Sequence, residues 1–220
     1  MKPVVIWGTG GIAEELLVLI REDNSRQIVA FCASREFCIE DTYLGLPLIA
    51  DDDLDRVYPP SECDIILTVG FKYMSKFRQF KFRDLKCRGY HIQNYIHKSA
   101  VVQQSSVMGE GNIILQGVII GTKCRIGNSN IMLMGCNISH DIVIGDFCYF
   151  APGVTLGGFV KSEDRCFLGL NSTIHPYVRL SLATLVGAGA IIVNDTMPYE
   201  VYSPPRSIKL KKRSTDFFYS

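Results

Sequence analysis

The sequence predicts two joined parts: a small parallel α/β unit of Rossmann-like half-domain type, and after it a parallel β-helix. Three observations predict them. Stepping by six from Ile96 to Ile192 visits 17 positions, of which 16 are apolar and only Ser162 breaks the series. The position after each is glycine seven times, at Gly109, Gly121, Gly127, Gly145, Gly157, Gly169 and Gly187. Before this stretch, short apolar runs alternate with segments of helical spacing. A beat of six fits neither an α-helix nor an ordinary strand, and internal repeats of this kind decide an architecture.

Each hexad reads as a short flat strand and a corner, and three hexads return the chain to its starting edge. Stacked coils are then about 4.8 Å apart, the spacing between hydrogen-bonded strands. Four positions after each apolar residue the side chains are small, and Cys124, Cys136, Cys148 and Cys166 fall there. These four read as small buried hydrophobes. Valine and, twice, asparagine fill most of the other such positions.

In the N-terminal part, Val4-Val5-Ile6-Trp7 is a continuous apolar run ending in Gly8-Thr9-Gly10-Gly11. Residues 13–23 have helical spacing, with Leu16, Leu17 and Ile20 on one face. Strands are expected at 28–32 and 65–69, and a helix over 73–88 that presents Phe77, Phe80 and Leu85. Strands alternating with helices give a parallel α/β unit. The division expected is 1–95 for this unit, 96–200 for the β-helix and 201–220 for a tail. Gly8-Thr9-Gly10-Gly11-Ile12-Ala13 satisfies G-x-G-x-x-A. The second strand nevertheless ends in Cys32-Ala33-Ser34-Arg35, without an acidic residue for a ribose, and 95 residues hold only half a dinucleotide fold. A redox cofactor is therefore not expected. The turn reads as a seat for a phosphate, or as a glycine corner that packs helix on strand.

Net charge is +1, so no global field recruits nucleic acid or an anionic membrane. No apolar stretch is long enough to span a bilayer, and the N-terminus does not read as a signal peptide. The eight cysteines contain no CxxC pair, and the cytoplasm is the expected location. His97, His140 and His175 are not separated by multiples of 18, so they do not line one corner as a zinc site requires. There is no G-x-S-x-G elbow for a serine hydrolase. No metal is expected.

An α/β unit of this size joined directly to a hexapeptide coil resembles the sialic acid O-acetyltransferase family. That family includes bacterial N-acetyltransferases of nucleotide-linked 4-amino-4,6-dideoxy sugars. The most specific stretch runs from Ser139-His140-Asp141 to Phe147, followed by Ala151-Pro152-Gly153 through Gly157-Gly158. The resemblance implies a left-handed coil and a homotrimer with active sites between subunits. It implies His140 as general base, Asp141 as the residue that orients the imidazole, and acetyl-CoA as co-substrate. Leu168-Gly169-Leu170-Asn171-Ser172 and Val186-Gly187-Ala188-Gly189-Ala190 are similar to segments around which the family's coenzyme A lies, which marks Leu170, Gly187 and Ala188. Tyr149 aligns with a histidine near the acetyl group in some relatives. Ile12 stands where many relatives have histidine, and Ala33-Ser34 where many have paired aspartates. These two segments help to hold the sugar nucleotide in the family, which marks Gly8, Gly10, Gly11, Ser34 and Arg35. Gly70-Phe71-Lys72 joins them, since Lys72 and Arg35 are candidates to approach a sugar diphosphate.

One geometric expectation comes from spacing alone. His140 and Gly158 are three hexads apart and should stack on adjacent coils at one corner. Gly157-Gly158 has no side chains to shield its N–H groups, and the Gly158 N–H is the candidate oxyanion donor. A neutral imidazole suits removal of a proton from an attacking amine. The function expected is N-acetylation of a nucleotide-linked amino-dideoxy sugar for a bacterial surface glycan, such as an O-antigen polysaccharide. The alternatives are O-acetylation of a sugar such as sialic acid, and a non-catalytic trimeric scaffold. Five basic residues, Arg206, Lys209, Lys211, Lys212 and Arg213, read as a solvated tail or as a contact for coenzyme A phosphates.

Overall fold

The computed structural model describes residues 2–209 and residue 211. Of the basic tail, Lys212 and Arg213 lie outside the described residues.

The N-terminal part contains β1 (Val4–Trp7), α1 (Gly11–Asp23), β2 (Ile28–Ala33), β3 (Thr42–Tyr43), β4 (Leu46–Ala50), α2 (Leu54–Val57), β5 (Asp64–Leu67) and α3 (Lys76–Cys87). The sheet order is β3-β4-β2-β1-β5. β1 sits between parallel neighbours and is buried along its length, which is why it reads as an unbroken apolar run. The β3–β4 hairpin is not visible in the sequence pattern. Its two-residue turn, Leu44-Gly45, has both φ angles positive (50° and 78°), as a tight hairpin requires. Pro47 within β4 argues against a strand, but β3 is the sheet edge and only two residues long.

The helix expected from residue 73 begins at Lys76 instead. Tyr73, Met74 and Ser75 are all left-handed, at φ 56°, 51° and 58°, so they form a separate reversed turn. The inward face also differs from expectation. Phe80 is 63% exposed, whereas Arg78, Lys81, Phe82 and Leu85 are buried. Lys81 and Arg88 meet Asp51, Asp84 and Asp55 in a partly buried ion network, and Trp7 Nε1 donates to Asp51 (2.8 Å).

The coil is a left-handed parallel β-helix of two-residue strands. Its first face stacks 101–102, 119–120, 137–138, 155–156, 173–174 and 191–192. Its second face stacks 107–108, 125–126, 143–144, 161–162 and 179–180, and its third runs from 95–96 to 201–202. From strand 95–96 to strand 191–192 each strand residue pairs with the one 18 positions on, as Ile119 does with Asn137 and Arg125 with Val143, and only the last pairing, Leu185 with Val201, shortens to 16. The repeated apolar residues fill one continuous core. Cys124, Cys136, Cys148 and Cys166 are fully buried and free. Burial pushes the Cys136 thiol up to about 12. The two interior asparagines form a ladder: Asn112 Oδ1 accepts from Asn130 N–H (2.9 Å), and Asn130 Oδ1 accepts from Cys148 N–H (2.8 Å). A buried polar side chain is stable there because the adjacent coil supplies its partners.

Arg78 fastens the two parts together. Its fully buried guanidinium donates to the carbonyls of Val69 (3.0 Å) and Gly70 (2.9 Å), and to those of Phe147 (2.7 Å) and Cys148 (3.1 Å) on the coil. Burial pulls its pKa down to about 10, so it remains a cation at neutral pH. Phe82 packs edge-on against Phe147 beside it (5.5 Å). Replacing Arg78 with methionine removes a buried charge but orphans the carbonyls of Val69, Gly70 and Phe147, while that of Cys148 keeps the Ile131 N–H. The expected result is a loss of about 2–4 kcal/mol, read as a lower unfolding midpoint in a denaturant titration.

Candidate active site

Three edges separate the faces of the coil, and His140 lies on the edge between the first and second faces. The corner is built by the strand 137–138 before it and the strand 143–144 after it. Asp141 takes a left-handed conformation (φ 56°), and its Oδ2 lies 3.0 Å from His140 Nδ1. That contact leaves Nε2 facing the next coil. Gly158 is there: a Cβ built on it would lie 2.9 Å from Nε2 and 2.8 Å from Cε1. The imidazole therefore rests directly on the bare backbone of Gly158, which is buried beneath it. Among the described residues the Gly158 N–H has no acceptor, while its carbonyl accepts from Tyr177 N–H (3.0 Å). The imidazole side chain is 50% exposed, so the pair opens to solvent on its outer side. An imidazole, a carboxylate on one of its ring nitrogens and an uncommitted N–H thus share one edge, an arrangement suited to acyl transfer.

Gly157 plays a different part. Its N–H donates to the Ile174 carbonyl (2.9 Å), and a Cβ on it would fall 2.6 Å from both N and Cδ of Pro176. Its N–H is therefore not available to a thioester, contrary to expectation. Leu170, Gly187 and Ala188 lie on the edge between the third and first faces, so one chain does not bring them to His140. Tyr149 is on the third face, stacked on Phe167 (5.4 Å, 11° between planes) and touched edge-on by Phe71 (5.0 Å). Phe71 thus lies at the seam between the two parts. Burial raises the Tyr149 hydroxyl and the half-buried carboxyl of Glu15. In the glycine turn, Gly8 (φ 127°) packs against Thr68, whereas Gly10 and Gly11 border open space. Gly70 is held through its carbonyl by Arg78, and Ser34 precedes a short 3-10 turn, 35–37. Arg35 pairs with Asp52 (3.0 Å) and Asp53 (3.2 Å) at the surface, where all three side chains stay exposed. Lys72 instead lies over the Tyr73 ring (5.3 Å).

No protein-family model matches the chain. Solved structures do. PerB from Caulobacter crescentus, in complex with CoA and GDP-perosamine, is 29% identical over 92% of each chain, with a TM-score of 0.79. A histidine-to-alanine mutant of GDP-perosamine N-acetyl transferase from Caulobacter crescentus is 28% identical over 91% of this chain and 93% of that one, with a TM-score of 0.81. The acetyltransferase domain of PglB from Neisseria gonorrhoeae FA1090, in complex with acetyl coenzyme A, shares the fold at 19% identity, a TM-score of 0.81, and coverage of 91% and 95%. The chain shares the fold and the order of parts of these enzymes, and it is an acyltransferase. Among the described residues of this acyltransferase, no helix is long and apolar enough to cross a membrane.

The edge carries more than the spacing of His140 and Gly158 disclosed. Phe159 meets the His140 ring edge-on (5.3 Å, 90°), and Tyr177 stacks on Phe159 (4.9 Å, 3°). Applying the same 18-residue step to Asp141 finds both, and stepping back from it finds Lys123. The two glycines of this acyltransferase should also separate by experiment. Gly158→Ala meets the His140 side chain and not backbone, so it displaces the ring, and the expected loss is roughly a hundredfold in rate with the melting temperature nearly kept. Gly157→Ala meets backbone and a proline ring, and should instead lower the melting temperature by several degrees, about 1–3 kcal/mol of overpacking. Thermal scans beside initial rates check both.

Proposed function

We propose that the chain moves the acetyl group of acetyl-CoA to the amino group of a nucleotide-linked amino-dideoxy sugar, of 4-amino-4,6-dideoxy type, for a bacterial surface glycan. The observation that carries this reading is the apposition of His140 Nε2 and the Gly158 backbone, with Asp141 on the opposite ring nitrogen. Its support is the likeness to an enzyme named as a GDP-perosamine N-acetyl transferase. The working unit is a homotrimer. One chain leaves His140 on one edge and Leu170, Ala188 and the glycine turn elsewhere, so a neighbour would complete the cleft.

The amine attacks the thioester carbonyl directly. As the C–N bond forms, His140 Nε2 accepts the amine proton, and the Asp141 carboxylate steadies the imidazolium. The Gly158 N–H donates to the oxyanion that develops on the carbonyl oxygen. Collapse breaks the C–S bond, and the imidazolium returns its proton to the departing thiolate. The N-terminal unit, with Gly10 and Gly11 open, receives the nucleoside end of the acceptor. Free histidine and an open N–H on one edge need no metal for these steps.

A thiol-release assay with matched amino and hydroxyl sugars tests the reading. Turnover is expected with nucleotide-linked amino sugars and not with their hydroxyl counterparts. Preference for the hydroxyl sugars would replace it with O-acetylation. His140→Asn should lower the rate on the order of a hundredfold. A scaffold without catalysis would show no change on that substitution.

A further inference from the structure

α3 has two unlike faces. Arg78, Lys81, Phe82 and Leu85 are buried, and through Arg78 and Phe82 that face meets the coil. On the opposite face Lys76, Phe80, Arg83 and Cys87 recur at intervals of four, three and four residues, which aligns them in one stripe. All four are exposed. The remaining cations from 76 to 88 are engaged: Arg78 on carbonyls, Lys81 with Asp51 and Asp84, Lys86 with Glu110, and Arg88 with Asp51, Asp55 and Asp84. Among the described residues Lys76 and Arg83 are paired with no carboxylate. Between them Phe80 is 63% exposed and stacks on Phe77 (6.5 Å, 27°). The stripe borders a groove of about 370 Å³ whose lining, Lys76, Gln79, Phe80, Arg83, Asp84 and Cys87, belongs to α3 alone. The one carboxylate there, Asp84, is held by Lys81 and Arg88.

The geometry points to this stripe as a contact with an anionic lipid bilayer, on which α3 lies flat at the level of the phosphates. The inference stands apart from the acetyl-transfer reading. Net charge is +1, so attraction to a negative surface has to come from a local excess of free cations, and Lys76 and Arg83 supply one. Phe80 between them decides the kind of anion. A water-exposed ring gains by entering the headgroup layer, where the stems of flanking Lys and Arg side chains can also rest while their charges meet phosphate. A nucleic acid offers phosphates as well, but single strands are held by stacking bases on successive rings, and this stripe carries one ring. From Lys76 to Cys87 the stripe runs about 16 Å, long enough to lie along a surface and too short to cross it. Two cations and one ring per chain give a reversible contact that weakens with salt.

Co-sedimentation of the full chain with vesicles tests the contact. One set is phosphatidylcholine alone, the other phosphatidylcholine and phosphatidylglycerol in equal parts. The wild type should bind the mixed vesicles about fivefold or more above the neutral ones, and should come off them near about 0.5 M salt. Lys76→Glu with Arg83→Glu should lower binding to the mixed vesicles about tenfold or more. Phe80→Ser should lower it about threefold and leave the salt dependence in place. Phe80→Trp should shift its emission to the blue on the mixed vesicles, because the only other tryptophan, Trp7, is buried and stays silent. All three variants should keep the wild-type melting temperature, since they alter exposed side chains. A wild type without preference for the mixed vesicles overturns the inference. So does a charge variant that binds them undiminished, or a Phe80→Trp emission that does not move while the protein is bound. Tighter binding to a single-stranded polynucleotide than to the mixed vesicles, at one salt and phosphate concentration, would also overturn it. None of these readouts involves turnover, so absence of acetyl transfer would leave the outcome unaffected.

Discussion

The vertical pairing of each residue with the one eighteen places later governs the rest of this molecule. It sets the faces, because each two-residue strand hydrogen-bonds to its counterparts on the coils above and below. It sets the core, because the inward residue of each strand stands in a column of its own kind. It also sets the candidate site, because His140 and Gly158 meet through that step and through nothing else in the sequence. Backbone hydrogen bonds between coils are individually modest, near 1 kcal/mol net, but repetition without a break makes the frame stiff. A stiff frame is what an imidazole and a single N–H need in order to stay aligned.

The N-terminal unit is fixed to this frame by different means. Among the described residues Arg78 has no carboxylate partner, and it donates to four carbonyls instead, two from each part. The loop that supplies two of these carbonyls also carries Phe71, whose ring reaches the aromatic pair on the third face. The three left-handed residues after it, Tyr73 to Ser75, hold the loop in that course before α3 begins. Such a run costs on the order of 1–2 kcal/mol per residue, and the packing of the seam is what sustains it.

The legibility of each feature in the sequence depends on how that feature is encoded. The coil was legible, because a fixed period repeated through a hundred residues survives any local exception, including Ser162 and the two asparagines. The apposition of His140 and Gly158 was as well, being arithmetic once the period is known. The hairpin at Thr42–Ala50 was not, because two short strands offer too few residues for a period and Pro47 misleads. Arg78 reads as one of many basic residues on a polar helix, since its burial comes from a partner 69 positions away. Arg35 reads as a free cation until folding brings Asp52 and Asp53 beside it. The positions of Leu170 and Ala188 were predictable by coil and edge, but spacing within one chain says nothing of which neighbouring surface faces that edge.

The unbroken period also restricts how such a molecule can change in length. A deletion or insertion of one residue inside the coil would turn every later apolar position outward. A change of six would preserve the core but carry each later side chain round to a different edge, so that His140 and the residues now stacked beside it would part company. Only whole turns, eighteen residues at a time, leave both the interior and the edges in place. Variation in size should therefore gather outside the coil, while the coil itself grows or shrinks by complete turns.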